Sequence, residues 1–185
     1  SLHKAGSIAD TIHGAITLAD IRIAQGRLHE ARRTYEQALQ LALAQGEPVV
    51  RGTADLSTGL SELSREQNDL PGATQHLLHS EKLGEHTGFP QHRYRWCVAM
   101  ARIREAQGDL VGALDLLQEA ERRYVRAFSP DVRPVAALRT RVRVAQGRLE
   151  EAFGWVREQG LSVADELSYL REFEHITLAR ILLAQ

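Results

Sequence analysis

Arginine is the residue type in this chain whose placement points most directly to chemistry. Arg95, Arg102, Arg141 and Arg180 fall in three successive apolar-periodic stretches of the sequence. A guanidinium presents a planar fork that binds two oxygens of a carboxylate or phosphate at once. Tyr169 and Phe173 lie close to the last of these arginines and offer apolar walls, while Asp20 and Glu62 occupy the matching places in the first two stretches. The same arginines, set among Glu105, Glu172 and Glu174, also suit ion pairs within the fold, each worth about 0–1 kcal/mol. His76 and His79 lie on one predicted helix with no third metal ligand in evidence, so no metal site is expected. Trp96, Trp155 and Tyr94 could stack on a ligand, but aromatics at helical spacing default to core packing. His13, His175 and the scattered carboxylates form no set of nucleophile, base and orienter, so no catalytic residue is assigned and an enzyme is not expected.

The elements that must position these side chains are marked by an internal repeat. "AQGRLHEA" (24–31) returns as "AQGDLVGA" (106–113) and "AQGRLEEA" (145–152), with a blurred copy "EQNDLPGA" at 66–73. The closing alanines, Ala31, Ala73, Ala113 and Ala152, are 42, 40 and 39 residues apart, the sign of a stacked array. Ile8, Ile12, Ala15, Ile16, Ala19 and Ile23 recur at three- and four-residue intervals, the period of one helix face. The Gly of each motif takes the left-handed conformation that ends a helix, and the short turn forces an antiparallel pair. Pro48, Pro90 and Pro130 are expected to open the next first helices, and Ser162 with Asp165 has the form of a capping box before the last one.

First helices are therefore expected near 5–25, 48–66, 90–107, 130–146 and 165–185, and their partners near 28–45, 70–87, 110–127 and 149–159. Small residues at Ala19, Ser61, Ala101, Thr140 and Ala179 should face the closing alanines, which are followed four residues later by larger side chains at Tyr35, Leu77, Leu117 and Val156. The expected fold is all-α, a right-handed solenoid of about nine helices in antiparallel pairs, one repeat domain over 1–185 with units near 5–46, 47–88, 89–128, 129–160 and a half repeat at 165–185.

Composition narrows the partners. The 23 basic and 24 acidic residues leave a net charge of −1, which gives no overall pull toward nucleic acid or an anionic membrane. Cys97 is the single cysteine, which excludes an internal disulfide and fits a reducing cytoplasm, with core packing as its expected role. No leader and no apolar run of membrane-spanning length is present. The start at Ser1 and the stop at "ILLAQ" suggest an excised fragment, with an apolar face around Leu178, Ile181 and Leu182 left for self-association.

Gly26, Ala31, Tyr35 and Ala38 match the pattern of the tetratricopeptide repeat, which this spacing resembles, although the units exceed its 34 residues. Asn68 at one turn and Ser80 in place of Ala depart from it. That resemblance implies a concave groove lined by the first helices, into which Asp20, Glu62, Arg102, Arg141 and Arg180 point, with His13, Asp55, Arg95, Pro134 and Phe173 on the same faces. The charge order implies a groove polarised along its length.

The second half, above all "PDVRPVAALRTR" and "LSYLREFEHITLARILLA", resembles the helical sensor region of the large ATP-binding LuxR-family transcriptional regulators, the MalT-like group. That resemblance implies an array that receives a small-molecule inducer or a regulatory protein. It implies no cofactor in this segment, with ATP bound and DNA read only by neighbouring domains. No G-x-x-x-x-G-K-[ST] phosphate loop and no helix-turn-helix of that family is found in the chain. A general tetratricopeptide-type adaptor holding a peptide or protein is the alternative.

Overall fold

The computed structural model describes residues 2–46, 48–124 and 133–185, with side chains described from Ser7 onward. Among these residues there are nine α-helices and no strand. They are α1 (Leu2–Ala24), α2 (Leu28–Leu43), α3 (Thr53–Glu66), α4 (Leu70–Leu83), α5 (His92–Ala106), α6 (Leu110–Arg123), α7 (Val135–Ala145), α8 (Leu149–Glu158) and α9 (Glu172–Leu183), with single 3-10 turns at Glu85–Thr87 and Tyr169–Arg171.

The repeated octapeptide is a helix–turn–helix junction in all four copies. Gly26, Gly108 and Gly147 take φ of 73°, 83° and 74°, and Asn68 takes 61° in the remaining copy. Asn is among the few side chains that tolerate this region. The next residue solves the helix start in two ways. In "GDL" and "NDL" the aspartate caps the helix: Asp69 Oδ1 accepts the Gly72 N–H and Asp109 Oδ1 accepts the Gly112 N–H, each at 2.9 Å. In "GRL" an arginine reaches three residues on, Arg27 Nε to Glu30 at 2.8 Å and Arg148 Nε to Glu151 at 2.6 Å.

The chain forms two compact units, Ser1–Ile103 and Arg104–Gln185. In the first, α1 packs on α2, α2 on α3 and α3 on α4, and α1 also meets α3. Its core joins Ile12, Ile16, Ala19, Ala31, Tyr35, Leu56, Leu60 and Leu63. Ala31 and Ala73 are fully buried, and the closest small-to-large approach falls at Gly59 of α3, which was not among the expected small residues: a Cβ there would lie 2.3 Å from Tyr35 Cζ of α2. In the second unit α7 contacts α6, α8 and α9, around Ala137, Ala152, Trp155, Val156, Leu178 and Ile181. Cys97, Trp96 and Trp155 are buried, in keeping with core roles.

Four expectations are corrected. The helix after Pro48 begins only at Thr53, because the loop before it is bonded to the next inter-pair loop, Gly52 N–H donating to Thr87 O at 2.6 Å; the helix after Pro90 begins at His92, close to where it was expected. Pro134 is the N-cap of α7, and Pro130 lies outside the described residues. Ser162 N–H donates to Asp165 Oδ2 at 2.9 Å and Asp165 N–H donates back to the Ser162 carbonyl at 3.2 Å, while Ser162 Oγ accepts the Ala164 N–H at 3.2 Å. They close a turn rather than open a helix, since Asp165 is also drawn to His175 on α9, which starts at Glu172. Ala179 is exposed, whereas Ala19, Ser61, Ala101 and Thr140 are buried; it lines a surface cavity beside Leu167 and Leu182. Leu178 and Ile181 are buried rather than exposed because they face the core of α7 and α8, which leaves Leu182 of that trio at the surface.

Candidate functional site

Within the first unit, the helices that open each pair bring four of the expected residues onto one face. Arg95 of α5 lies 3.7 Å from Asp20 Oδ1 of α1 and 3.9 Å from Glu62 Oε2 of α3. About two helical turns along α5, Arg102 lies 3.7 Å from Glu62 Oε1 and 3.3 Å from Glu66 Oε1. Beneath them Tyr35 donates its hydroxyl to Asp20 Oδ1 at 2.8 Å. Glu62 is thus shared by both arginines, and the charges alternate and compensate across three consecutive helix pairs.

Burial strengthens this network. Desolvation works against the Arg95 charge, but Asp20, then Tyr35, Glu62 and Asp55, hold its pKa well above the ordinary arginine value. Burial and the Asp20 carboxylate together push the Tyr35 phenol far above its usual range. Asp20 keeps half of its side chain exposed, so the outer edge of the network faces solvent.

In the second unit the remaining expected residues are less tightly joined. The Arg141 guanidinium of α7 stacks over the Phe173 ring of α9 at 5.0 Å. Arg180 is exposed on α9. Tyr169, 71 % exposed, borders an apolar cavity of about 640 Å³ together with Leu167, Ile176, Ala179 and Leu182. Tyr169 and Phe173 therefore do not form one wall: the first lines that cavity and the second lies under Arg141.

Two expected groove residues sit elsewhere. Asp55 is 1 % exposed; its Oδ2 accepts the Phe89 N–H at 2.8 Å and its Oδ1 lies 3.7 Å from His92 Nδ1. His13 packs edge-on against Phe89, with centroids 5.2 Å apart. Sequence reasoning also missed a buried Ser80–His92–Asp55 relay, with Ser80 Oγ 3.4 Å from His92 Nε2. Its order is that of a hydrolytic triad, but Ser80 is fully buried and donates its proton to Ala54 O at 2.9 Å. That geometry leaves no approach for a substrate to the hydroxyl. The only sequence signal for it was Ser80 standing where the repeat has Ala.

His76 is half-buried, and burial, then Arg32 and His79, lower its pKa. Among the described residues no three His, Cys, Asp or Glu side chains are grouped to hold a metal ion, and no described helix is long and apolar enough to cross a membrane.

Antiparallel helix pairs with left-handed Gly or Asn turns, buried closing alanines and a polar first-helix face define a tetratricopeptide-like helical repeat protein. The family model described as the MalT-like TPR region matches residues 1–185, and the chain belongs to that family. No curated protein and no solved structure matches it.

Proposed function

We propose that this chain is the sensing region of a LuxR-family, ATP-dependent transcriptional regulator, and that the first-helix face carrying Asp20, Glu62, Arg95 and Arg102 receives a small-molecule inducer or a regulatory protein. The reading includes a non-catalytic role in the cytoplasm, one repeat domain over 1–185, and ATP and DNA handled by other domains. The observation that supports it best is the shared Glu62: two arginines compete for one carboxylate, so a ligand carboxylate or hydroxyl can replace one pairing without stripping either charge of partners. A ligand acts only by binding one arrangement of the array more tightly than another, and an ion-pair set linking α1, α3 and α5 is coupled to how those helices are spaced.

The test is thermal melting of the chain against oligosaccharides, carboxylates, phosphorylated metabolites and acyl compounds. A ligand at a hundred times its dissociation constant stabilises by about 2.7 kcal/mol. The expected result is a hit whose shift is lost in Arg102→Gln, the guanidinium that a ligand carboxylate would take over from Glu62. A hit unaffected by Glu62→Gln and Arg102→Gln moves the site off this face, and silence across the panel removes the small-molecule reading in favour of a protein partner.

A further inference from the structure

A second constellation, on the loops that join one helix pair to the next in the first unit and on the first turn of α5, lies apart from the charged face. Arg51, Glu85, His86, Phe89, His92 and Arg93 surround a cavity of about 410 Å³. Its floor is rigid: Gly52 N–H bonds to Thr87 O, Asp55 holds the Phe89 N–H, and Gly52 adopts φ 95° with Phe89 so close that a Cβ would sit 2.6 Å from its ring.

The cations around this floor are positioned but poorly satisfied. Arg51 lies 5.8 Å from the Phe89 centroid, with one long hydrogen bond from Nε to Gly88 O at 3.4 Å. Arg93 is stacked on Trp96 at 4.5 Å, and its carboxylate neighbours Glu85 and Glu81 stand off at 3.8 and 4.0 Å. Arg93 Nε is buried without a hydrogen bond, whereas the two ring nitrogens of the buried His92 are turned to Asp55 and Ser80. Buried donors and acceptors are rarely left so in a folded chain, and each such atom asks for an explanation.

From this geometry we infer a binding site for a small phosphomonoester, its phosphoryl group between Arg51 and Arg93 and its organic part against Phe89. Two guanidinium groups match a dianion, and a phosphoryl group has three terminal oxygens to share between the Arg51 and Arg93 forks, one more than a carboxylate. Phe89 supplies the apolar face that such pockets use for the rest of a ligand. Glu85 stands at the rim, with its side chain 65 % exposed. The site stands independently of whether the first-helix face takes an inducer.

The experiment is calorimetric titration of the chain at constant ionic strength with phenyl phosphate, phenol, inorganic phosphate and sulfate. Phenyl phosphate should bind saturably, one per chain, with a dissociation constant of about a millimolar or tighter; phenol should not bind, and inorganic phosphate should bind more weakly. Arg51→Gln and Arg93→Gln should each weaken binding about tenfold, with Arg180→Gln and Glu62→Gln unchanged. Arg93 also packs on Trp96, so Arg51→Gln decides the matter if Arg93→Gln fails to fold. Absence of saturable binding, equal binding of phenol, or indifference to Arg51→Gln overturns the site.

Discussion

Arg95 on α5 lies 3.7 Å from Asp20 on α1, which ties the first helices of two helix pairs that are 75 residues apart along the chain. Glu62 of the intervening pair lies on the same guanidinium. Arg95→Gln keeps some hydrogen bonding but removes the charge that Asp20, Glu62 and the Tyr35 hydroxyl are arranged around. Unfolding free energy should fall by about 1–3 kcal/mol, as for loss of a partly buried charged partner. Urea denaturation checks this, with Arg180→Gln as the exposed control; equal, near-zero effects for both would mean that the network behaves as surface charge.

Gly59 on α3 receives the Tyr35 ring from α2, and a Cβ there falls 2.3 Å from Cζ. Gly59→Ala should therefore destabilise the first unit by about 1–3 kcal/mol, against the usual gain of Ala over Gly inside a helix. Adding Tyr35→Leu should restore part of the loss, so a double-mutant cycle should give a clear coupling energy. A stabilised Gly59→Ala protein would show that α2 and α3 are farther apart in solution.

The Tyr35 phenol also sets an alkaline limit. Its pKa is raised in the folded chain, by burial first and by Asp20 next, so the native state holds the proton more tightly than the unfolded state. The associated stability is complete below the ordinary tyrosine value of about 10 and is lost as pH rises above it. Denaturation midpoints should drop across that window in the wild type. They should drop less in Tyr35→Phe, which gives up only the hydrogen bond to Asp20 at neutral pH.

Much of this fold was legible because single residues decide it. A Gly or Asn at each turn, an Ala five positions on and an apolar period of 3.6 located the four helix pairs, and the closing alanines are all fully buried. What was not legible rests on contacts between residues far apart in sequence. Pro48 has the composition of a helix start, yet the Gly52–Thr87 bond holds the chain out of helix until Thr53. Asp55 has the register of a groove residue but turns inward to the Phe89 amide. The arginine row was found by position, while its pairing with Asp20, Glu62 and Glu66 depended on how the pairs stack. The cavity around Arg51 and Arg93 left no periodic trace, because it forms where two inter-pair loops meet the first turn of α5.

Asp165 is expected to govern an acid-sensitive turn. Its pKa is lowered, first by the Ser162 N–H and then by His175, so the unfolded state binds protons more readily at acid pH. The turn's contribution is present above the ordinary carboxyl value of about 3.9 and is lost as pH falls through the lower folded value. Amide exchange should show protection of the Ser162 N–H at about pH 6 that fades toward about pH 3. In Asp165→Asn that protection should be weaker at both pH values.

Arg141 separates a binding role from a structural one. Sequence alone, which sets Arg141 at a groove position, predicts that Arg141→Glu weakens ligand binding and leaves melting nearly unchanged. The structure adds a stack on Phe173 at 5.0 Å between α7 and α9, and Phe173 packs against the core of the second unit. A glutamate there replaces attraction to the ring face with repulsion, so the second unit should lose about 0.5–1 kcal/mol or somewhat more. Arg141→Lys keeps a cation near the ring and should lose less, whereas Arg141→Met keeps the apolar stem and should fall between them. If melting follows the order Lys, Met, Glu, the arginine serves α7–α9 packing. If all three melt alike and only ligand-induced shifts differ, the guanidinium is reserved for binding.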